Sequence, residues 1–258
     1  MLKKIKCIVS YDGSLFSGYQ IQPKKRTVHG ELEKALTKMH KGSSIRVHAS
    51  GRTDTGVHAI GQTIHFETHY DLTPTDWKNA LNTLLPNDIY IQTAIEAPAH
   101  FHARYDVVEK EYRYVVRNER EPNVFKRNYA YHFPYPLDME AVHAACRLFE
   151  GTHDFTTFSS AKATVKGSKE RTLYEASCQQ EGEELTFTFR GSGYLYNMVR
   201  IMVGTILDIG QGKRQVADIP MLFEKRDRRL ASATAPAQGL YLWNVTYKDE
   251  LKADKIGK

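Results

Sequence analysis

The chain has 258 residues, 41% of them hydrophobic and 26% charged, enough to build one large core or two smaller ones. No run approaches the roughly 18 apolar residues of a bilayer-spanning helix, and the opening MLKKIKCIVSYDG turns polar too early for a signal peptide, so a soluble cytoplasmic protein without a membrane partner is expected. Thirty-six Lys and Arg against thirty Asp and Glu leave a charge of +6, which suits a polyanionic partner, while the three scattered cysteines, Cys7, Cys146 and Cys178, support neither a disulfide framework nor a zinc knuckle.

KKIKCIVSY alternates polar residues with Ile5, Cys7 and Val9, the period of a strand with one buried face. Behind Thr27, a good N-cap, Val28, Leu32, Ala35, Leu36 and Met39 fall at helical spacing. Strands are expected over 44–49 and 61–68, the second with Ile64 and Phe66 on one face and Thr63, His65 and Glu67 on the other. A polar loop, ASGRTDTGVHAIGQ, joins them. Thr73 and Pro74 start a second helix that Pro86 stops, and strands near 88–95, 99–105 and along KEYRYVVR follow. The last places Tyr112 and Tyr114 on one face and Arg113 and Val115 on the other.

The second half continues in the same style. A helix is expected from the Asp138 cap to Gly151, then strands near 172–180 and 184–190, a helix over 194–209 and a closing strand over 239–247. Residues 159–171 lack periodicity and read as a mobile basic loop, and 249–258 as a charged tail. The fold class is α+β, with two similar mixed subdomains divided as 1–105 and 106–248.

Among the eleven histidines, His58, His65, His69, His100 and His102 invite a metal-site reading, but none has the i, i+4 helical spacing of H-E-x-x-H. Solvated or nucleic-acid-facing rings are the expectation, with no metal. GRTDTG lacks the Walker pattern, no G-x-G-x-x-G follows a strand, and no G-x-S-x-G elbow occurs, so neither a nucleotide cofactor nor a serine nucleophile is supported. Asp54 remains: it stands between Thr53 and Thr55, with Arg52 two positions earlier and glycines at 51 and 56. Neighbouring charge and hydrogen bonds keep such a carboxylate ionised, ready to act as nucleophile or base. Basic residues interleaved with aromatics, as in KEYRYVVR, suit a ligand offering both phosphates and stackable bases.

At GRTDTGVHAIGQ the sequence resembles the TruA family of tRNA pseudouridine synthases, whose signature is a G-R-T-D-x-G-V-H run with an aspartate in fourth place. The resemblance continues through FSGYQIQP, RTVHGELEKAL, FHARYDV, KEYRYVV, GTHDFTTFSSA, YNMVRIMVGTILDIG and APAQGLYL, nearly the whole chain before residue 248. It implies the pseudouridine synthase fold, with a positively charged cleft between its two subdomains. It also implies that Asp54 is catalytic, that Tyr112 contacts the target base, that Arg200 partners the aspartate and that Arg52 helps extrude the base. The implied substrate is uridine at positions 38, 39 and 40 in the anticodon stem-loop of tRNA, acted on by a homodimer that needs no cofactor. Two departures stand out: Tyr19 occupies a place where many relatives carry tryptophan, and FSSA replaces the commoner FRAA. A silent tRNA-binding protein or chaperone and a metal-dependent RNA hydrolase are the alternative readings.

Overall fold

The structure, a computed structural model, describes residues 2–160 and 167–248. The expected tail over 249–258 and the middle of the expected basic loop, 161–166, lie outside the described residues. The chain divides into two compact units, one of Met1–Val108 with Tyr241–Lys258 and the other of Glu109–Leu240.

In the first unit, β1 (Lys3–Tyr11) pairs antiparallel with β3 (His58–Thr68) on one side and β4 (Ile89–Ala97) on the other. Its odd-numbered residues Ile5, Cys7, Val9 and Tyr11 are all buried, as the alternation predicts. The two-residue strand β2 (His48–Ala49) also pairs with β3. Helix α1 (Val28–Met39) starts where the Thr27 hydroxyl accepts the Gly30 N–H, and it buries Val28, Leu32, Ala35 and Leu36. Helix α2 (Pro74–Leu84) is capped by Thr73 in the same way and buries Trp77 and Leu81. Trp77 meets Phe66 of β3 edge to face at 5.3 Å, tying helix to sheet.

The second unit is built on an antiparallel run of β5 (Val107–Arg117), β9 (Glu184–Gly191), β8 (Glu170–Glu181) and β7 (Gly151–Asp154), with the two-residue β6 (Tyr131–His132) parallel to β5. Tyr112, Tyr114 and Val116 share the buried face of β5. Asp138 caps α3 (Met139–Arg147), which packs on β8 and on α4 (Met198–Gly210). A ring cluster of Phe149, Phe155, Phe158 and Phe223 fills the space beside them, the last supplied by α5 (Asp218–Lys225). Fully burying each such ring contributes roughly 1.5–3 kcal/mol.

Several elements differ from expectation. Strand β3 begins at His58 rather than 61, so the polar loop is shorter than its motif. Its polar face is only partly solvated: Thr63 and His65 are buried along with Ile64 and Phe66, and Glu67 is exposed. Only His48 and Ala49 of 44–49 pair as strand. Residues 99–105 form turns, closed by Phe101 N–H to the Pro98 carbonyl and Asp106 N–H to the His102 carbonyl. Helix α5 was not foreseen; Pro220 sits in its first turn, where no intrahelical N–H bond is lost. The closing strand β10 (Leu240–Tyr247), expected within a subdomain running to 248, lies with the first unit, parallel to β3 through Tyr241 beside His58 and Leu242 beside Ala59.

Helix α4 is buried nearly all round, and Gly204 is what admits a neighbour: a Cβ there would stand 2.1 Å from the Ala233 carbonyl oxygen. Gly→Ala within a helix ordinarily gains up to about 1 kcal/mol. Here the backbone contact reverses the sign, and Gly204→Ala is expected to lower stability by about 1–3 kcal/mol, read as a fall in the urea midpoint at unchanged m-value.

Candidate active site

The loop carrying Arg52 and Asp54 spans 50–57, between β2 and β3. Ser50 N–H donates to the Thr63 carbonyl, and Val57 N–H donates to the Asp54 carbonyl at 3.1 Å, closing a turn in which Gly56 takes φ +78°. Only glycine adopts that conformation without strain. Asp54 is half-buried and Arg52 exposed on this turn.

A second segment lies against the loop. Where β1 ends, Asp12 accepts the Ser14 N–H and begins a short 3-10 turn over Gly13–Leu15. A Cβ at Gly13 would overlap the Val57 carbonyl. Gly18 stands at φ +87°, a backbone conformation that favours glycine, and a Cβ there would be crowded, 3.0 Å from the Thr53 oxygen, 3.2 Å from the Thr55 nitrogen and 3.3 Å from the Asp54 carbonyl carbon. The next residue, Tyr19, donates its N–H to the Thr53 carbonyl at 3.0 Å. Beneath, the Tyr11 hydroxyl and Thr53 Oγ1 share a buried hydrogen bond of 2.8 Å. Gln62, wholly buried on β3, accepts from the Ser50 hydroxyl and donates to the Gly51 carbonyl. Sequence reasoning missed Tyr11 and Gln62. The available signal was a tyrosine ending an apolar strand face, whose hydroxyl requires a buried partner.

Tyr112 and Arg200 belong to the second unit. Tyr112 is 8% exposed on β5 and meets Tyr194 edge to face at 4.9 Å. Arg200 stands in the first turn of α4, donating from Nε to the Ala235 carbonyl at 2.7 Å and from Nη1 to Asn197 Oδ1 at 3.0 Å, while its own carbonyl accepts the Ala235 N–H. Asn197, at φ +62°, therefore uses its side chain to orient the arginine rather than to cap the helix. Tyr114 donates to the Pro236 carbonyl at 2.7 Å; burial pushes its phenol well above the usual range, and the Arg200 charge pulls the other way.

The histidine expectation requires correction at two positions. His58 and His65 are buried, not solvated. Gly13 N–H donates to His58 Nδ1 at 3.0 Å, and Asp12 Oδ1 lies 3.2 Å from the same nitrogen. Likewise Ala103 N–H donates to His65 Nδ1 at 3.1 Å, and the His65 ring stacks on His48 and meets His102 edge-on. His69 and His100 are exposed. No group of three or more His, Cys, Asp or Glu side chains among the described residues converges as a metal ion would require. The three cysteines are buried thiols, and burial pushes Cys7 and Cys178 up to about 12.

The structure thus presents a half-buried carboxylate on a turn braced from two sides, in a mixed α/β chain of net charge +6. The chain belongs to the tRNA pseudouridine synthase family, whose sequence profile matches residues 7–106 and 145–248 and so includes Arg52, Asp54 and Arg200, with Tyr112 in the interval between. Among its relatives, "tRNA pseudouridine synthase A" of Geobacillus sp. (strain WCH70) is 60% identical over 247 residues, 96% of this chain and 99% of that protein. The protein of the same name from Oceanobacillus iheyensis is 57% identical over 248 residues, 96% of this chain and 98% of that one. "tRNA pseudouridine synthase A 1" of Bacillus cereus (strain ATCC 10987 / NRS 248) is 53% identical over 248 residues, 96% of this chain and all of that one. A solved chain of a Cbf5-Nop10-Gar1 complex aligns with 78% of this chain and 54% of its own at 12% identity, with a TM-score of 0.34, too low to bear on function.

Burial, with the nearby His48 and His102, pushes His65 down to about 3. The folded protein thus keeps this ring neutral where an unfolded chain, with its histidine near 6.5, takes up a proton. Stability from this ring is complete above pH 6.5 and is lost as pH falls from 6.5 toward 3, at up to about 1.4 kcal/mol per pH unit. Urea midpoints between pH 7 and 4.5 are expected to fall less steeply in His65→Gln than in the unaltered protein.

Proposed function

We propose that this protein isomerises uridine to pseudouridine at positions 38, 39 and 40 in the anticodon stem-loop of tRNA. The reaction breaks the N1–C1′ glycosidic bond, turns the uracil and joins C5 to C1′, with no atoms gained or lost. The observation that carries this reading is the family-matched GRTDTGVH run, with Asp54 on a turn whose backbone is held on both sides. An ionised Asp54 attacks C6 or C1′, or removes a sugar proton, and each route needs the charged form.

The other roles follow from the chemistry. Turning a base out of its stack costs a few kcal/mol, which the exposed Arg52 guanidinium offsets by occupying the space and meeting phosphate. The Tyr112 ring offers a stacking platform worth about 1–3 kcal/mol per base. Arg200, its guanidinium oriented by Asn197 and Ala235, supplies the positive partner that holds the catalytic carboxylate ionised. The enzyme acts as a homodimer in the cytoplasm. No described helix is long and apolar enough to cross a membrane.

Release of tritium from tRNA carrying 5-tritiated uridine measures the reaction directly. Asp54→Asn is expected to lower turnover by on the order of 10³-fold or more while folding and tRNA binding persist; undiminished release would remove the catalytic assignment. A silent tRNA-binding protein would release none even unaltered. Binding is expected to weaken steeply as salt rises, since each neutralised phosphate adds about 0.7–0.9 to the slope of log K against log salt, and a flat response would argue against a phosphate-contacting surface.

A further inference from the structure

We propose that Tyr11, acting through Thr53, and Gly18, acting by its missing Cβ, are positioning residues for Asp54. The inference rests on the reading of Asp54 as the catalytic carboxylate. Loop 50–57 is intrinsically loose: Gly51 and Gly56 flank four residues that supply no core side chain except Thr53, which is 6% exposed. Catalytic geometry tolerates errors of only about 0.5 Å, and a misplacement of about 1 Å can cost on the order of 10²-fold in rate. Something outside the loop must fix it.

The contacts converge on the residue immediately before Asp54. Thr53 is held through its carbonyl by the Tyr19 N–H and through its hydroxyl by the Tyr11 phenol. Gly18, held at φ +87°, packs against the Thr53–Asp54–Thr55 backbone so closely that a Cβ would crowd it at 3.0–3.3 Å. The Tyr11 phenol is 4% exposed and burial keeps it protonated, so it serves as a fixed hydrogen-bonding group and not as an acid or base. Segment 16–27 is itself anchored, because Ser17 N–H donates to the Arg26 carbonyl and Arg26 makes a bidentate pair with Asp88 at 2.6 and 2.8 Å. The backbone is thereby held at Thr53 on the N-terminal side of Asp54, and the Val57 N–H on the Asp54 carbonyl holds it on the other side.

A purely structural role would change stability and leave turnover per folded molecule intact; a positioning role lowers turnover per folded molecule whatever the change in stability. Steady-state tritium release, with urea midpoints measured alongside, is therefore compared for Tyr11→Phe, Thr53→Val, Thr53→Ser and the Tyr11→Phe/Thr53→Val pair. Tyr11→Phe and Thr53→Val are each expected to lower kcat about tenfold, or about 1.4 kcal/mol, with KM for tRNA within about twofold. Thr53→Ser, which keeps the hydroxyl, is expected to turn over like the unaltered enzyme, and the double variant to be no worse than either single one, since both remove the same bond. Gly18→Ala is expected to lower kcat further than either. The proposal is overturned if Tyr11→Phe and Thr53→Val turn over normally while Asp54→Asn is inactive, if their effects on kcat add, or if only the urea midpoint moves. Turnover by Asp54→Asn would instead strike the reading of Asp54 itself. Should Tyr11→Phe fail to fold, the Thr53→Val and Thr53→Ser pair still decides.

Discussion

The loop that carries Asp54 is held by the close approach of two backbones, and the catalytic role proposed for that carboxylate requires such a fixed loop. Gly13 and Gly18 let the chain after β1 lie against Val57 and Thr53 at distances that would crowd a side chain. The tyrosine that ends β1 then reaches the Thr53 hydroxyl. Antiparallel pairing of β1 with β3 makes this possible, since it sets Tyr11 opposite Ala59, beside the end of the loop. The core and the loop geometry are thus one arrangement: the alternation that buries Ile5, Cys7 and Val9 also delivers Tyr11 to its partner.

Burial of polar groups follows the same logic across the first unit. His58, His65 and Gln62 all lie on β3, Gln62 on the same face as Ile64 and Phe66 opposite Val9, and each is enclosed and satisfied by a backbone or hydroxyl partner. An unsatisfied buried donor or acceptor costs about 1–3 kcal/mol, so these side chains are committed to fixed neighbours. His58 and Gln62 spend that commitment on the segments that frame Asp54. In the second unit Arg200 is likewise bound into its surroundings, gripping Ala235 through both side chain and carbonyl, which sets the direction of its guanidinium.

Much of the local structure was legible because its causes are local. Thr27, Thr73 and Asp138 announce helices by the hydrogen bonds their side chains make two or three residues ahead, and the alternation in β1 and β5 announces one buried face. The glycine-flanked polar loop around Asp54 was legible from its composition and its motif. Where expectation failed, the cause was distant in sequence. The alternation of β3 cannot report that its second face is covered, and the apolar residues of 99–105 look like strand although their hydrogen bonds close turns.

Sequence by itself determined the starts of the helices behind Thr27, Thr73 and Asp138, the periodicity of β1 and β5, the basic balance and the loop that carries Arg52 and Asp54, because each follows from residues near one another or from composition. Only tertiary structure decided that the closing strand β10 pairs with β3 rather than with the chain just before it, that His65 is a neutral buried ring, and that Tyr11, Gly18 and Gln62 serve the loop. These depend on which distant segments meet, and a buried hydrogen bond is fixed by its partner's position, which no local pattern encodes.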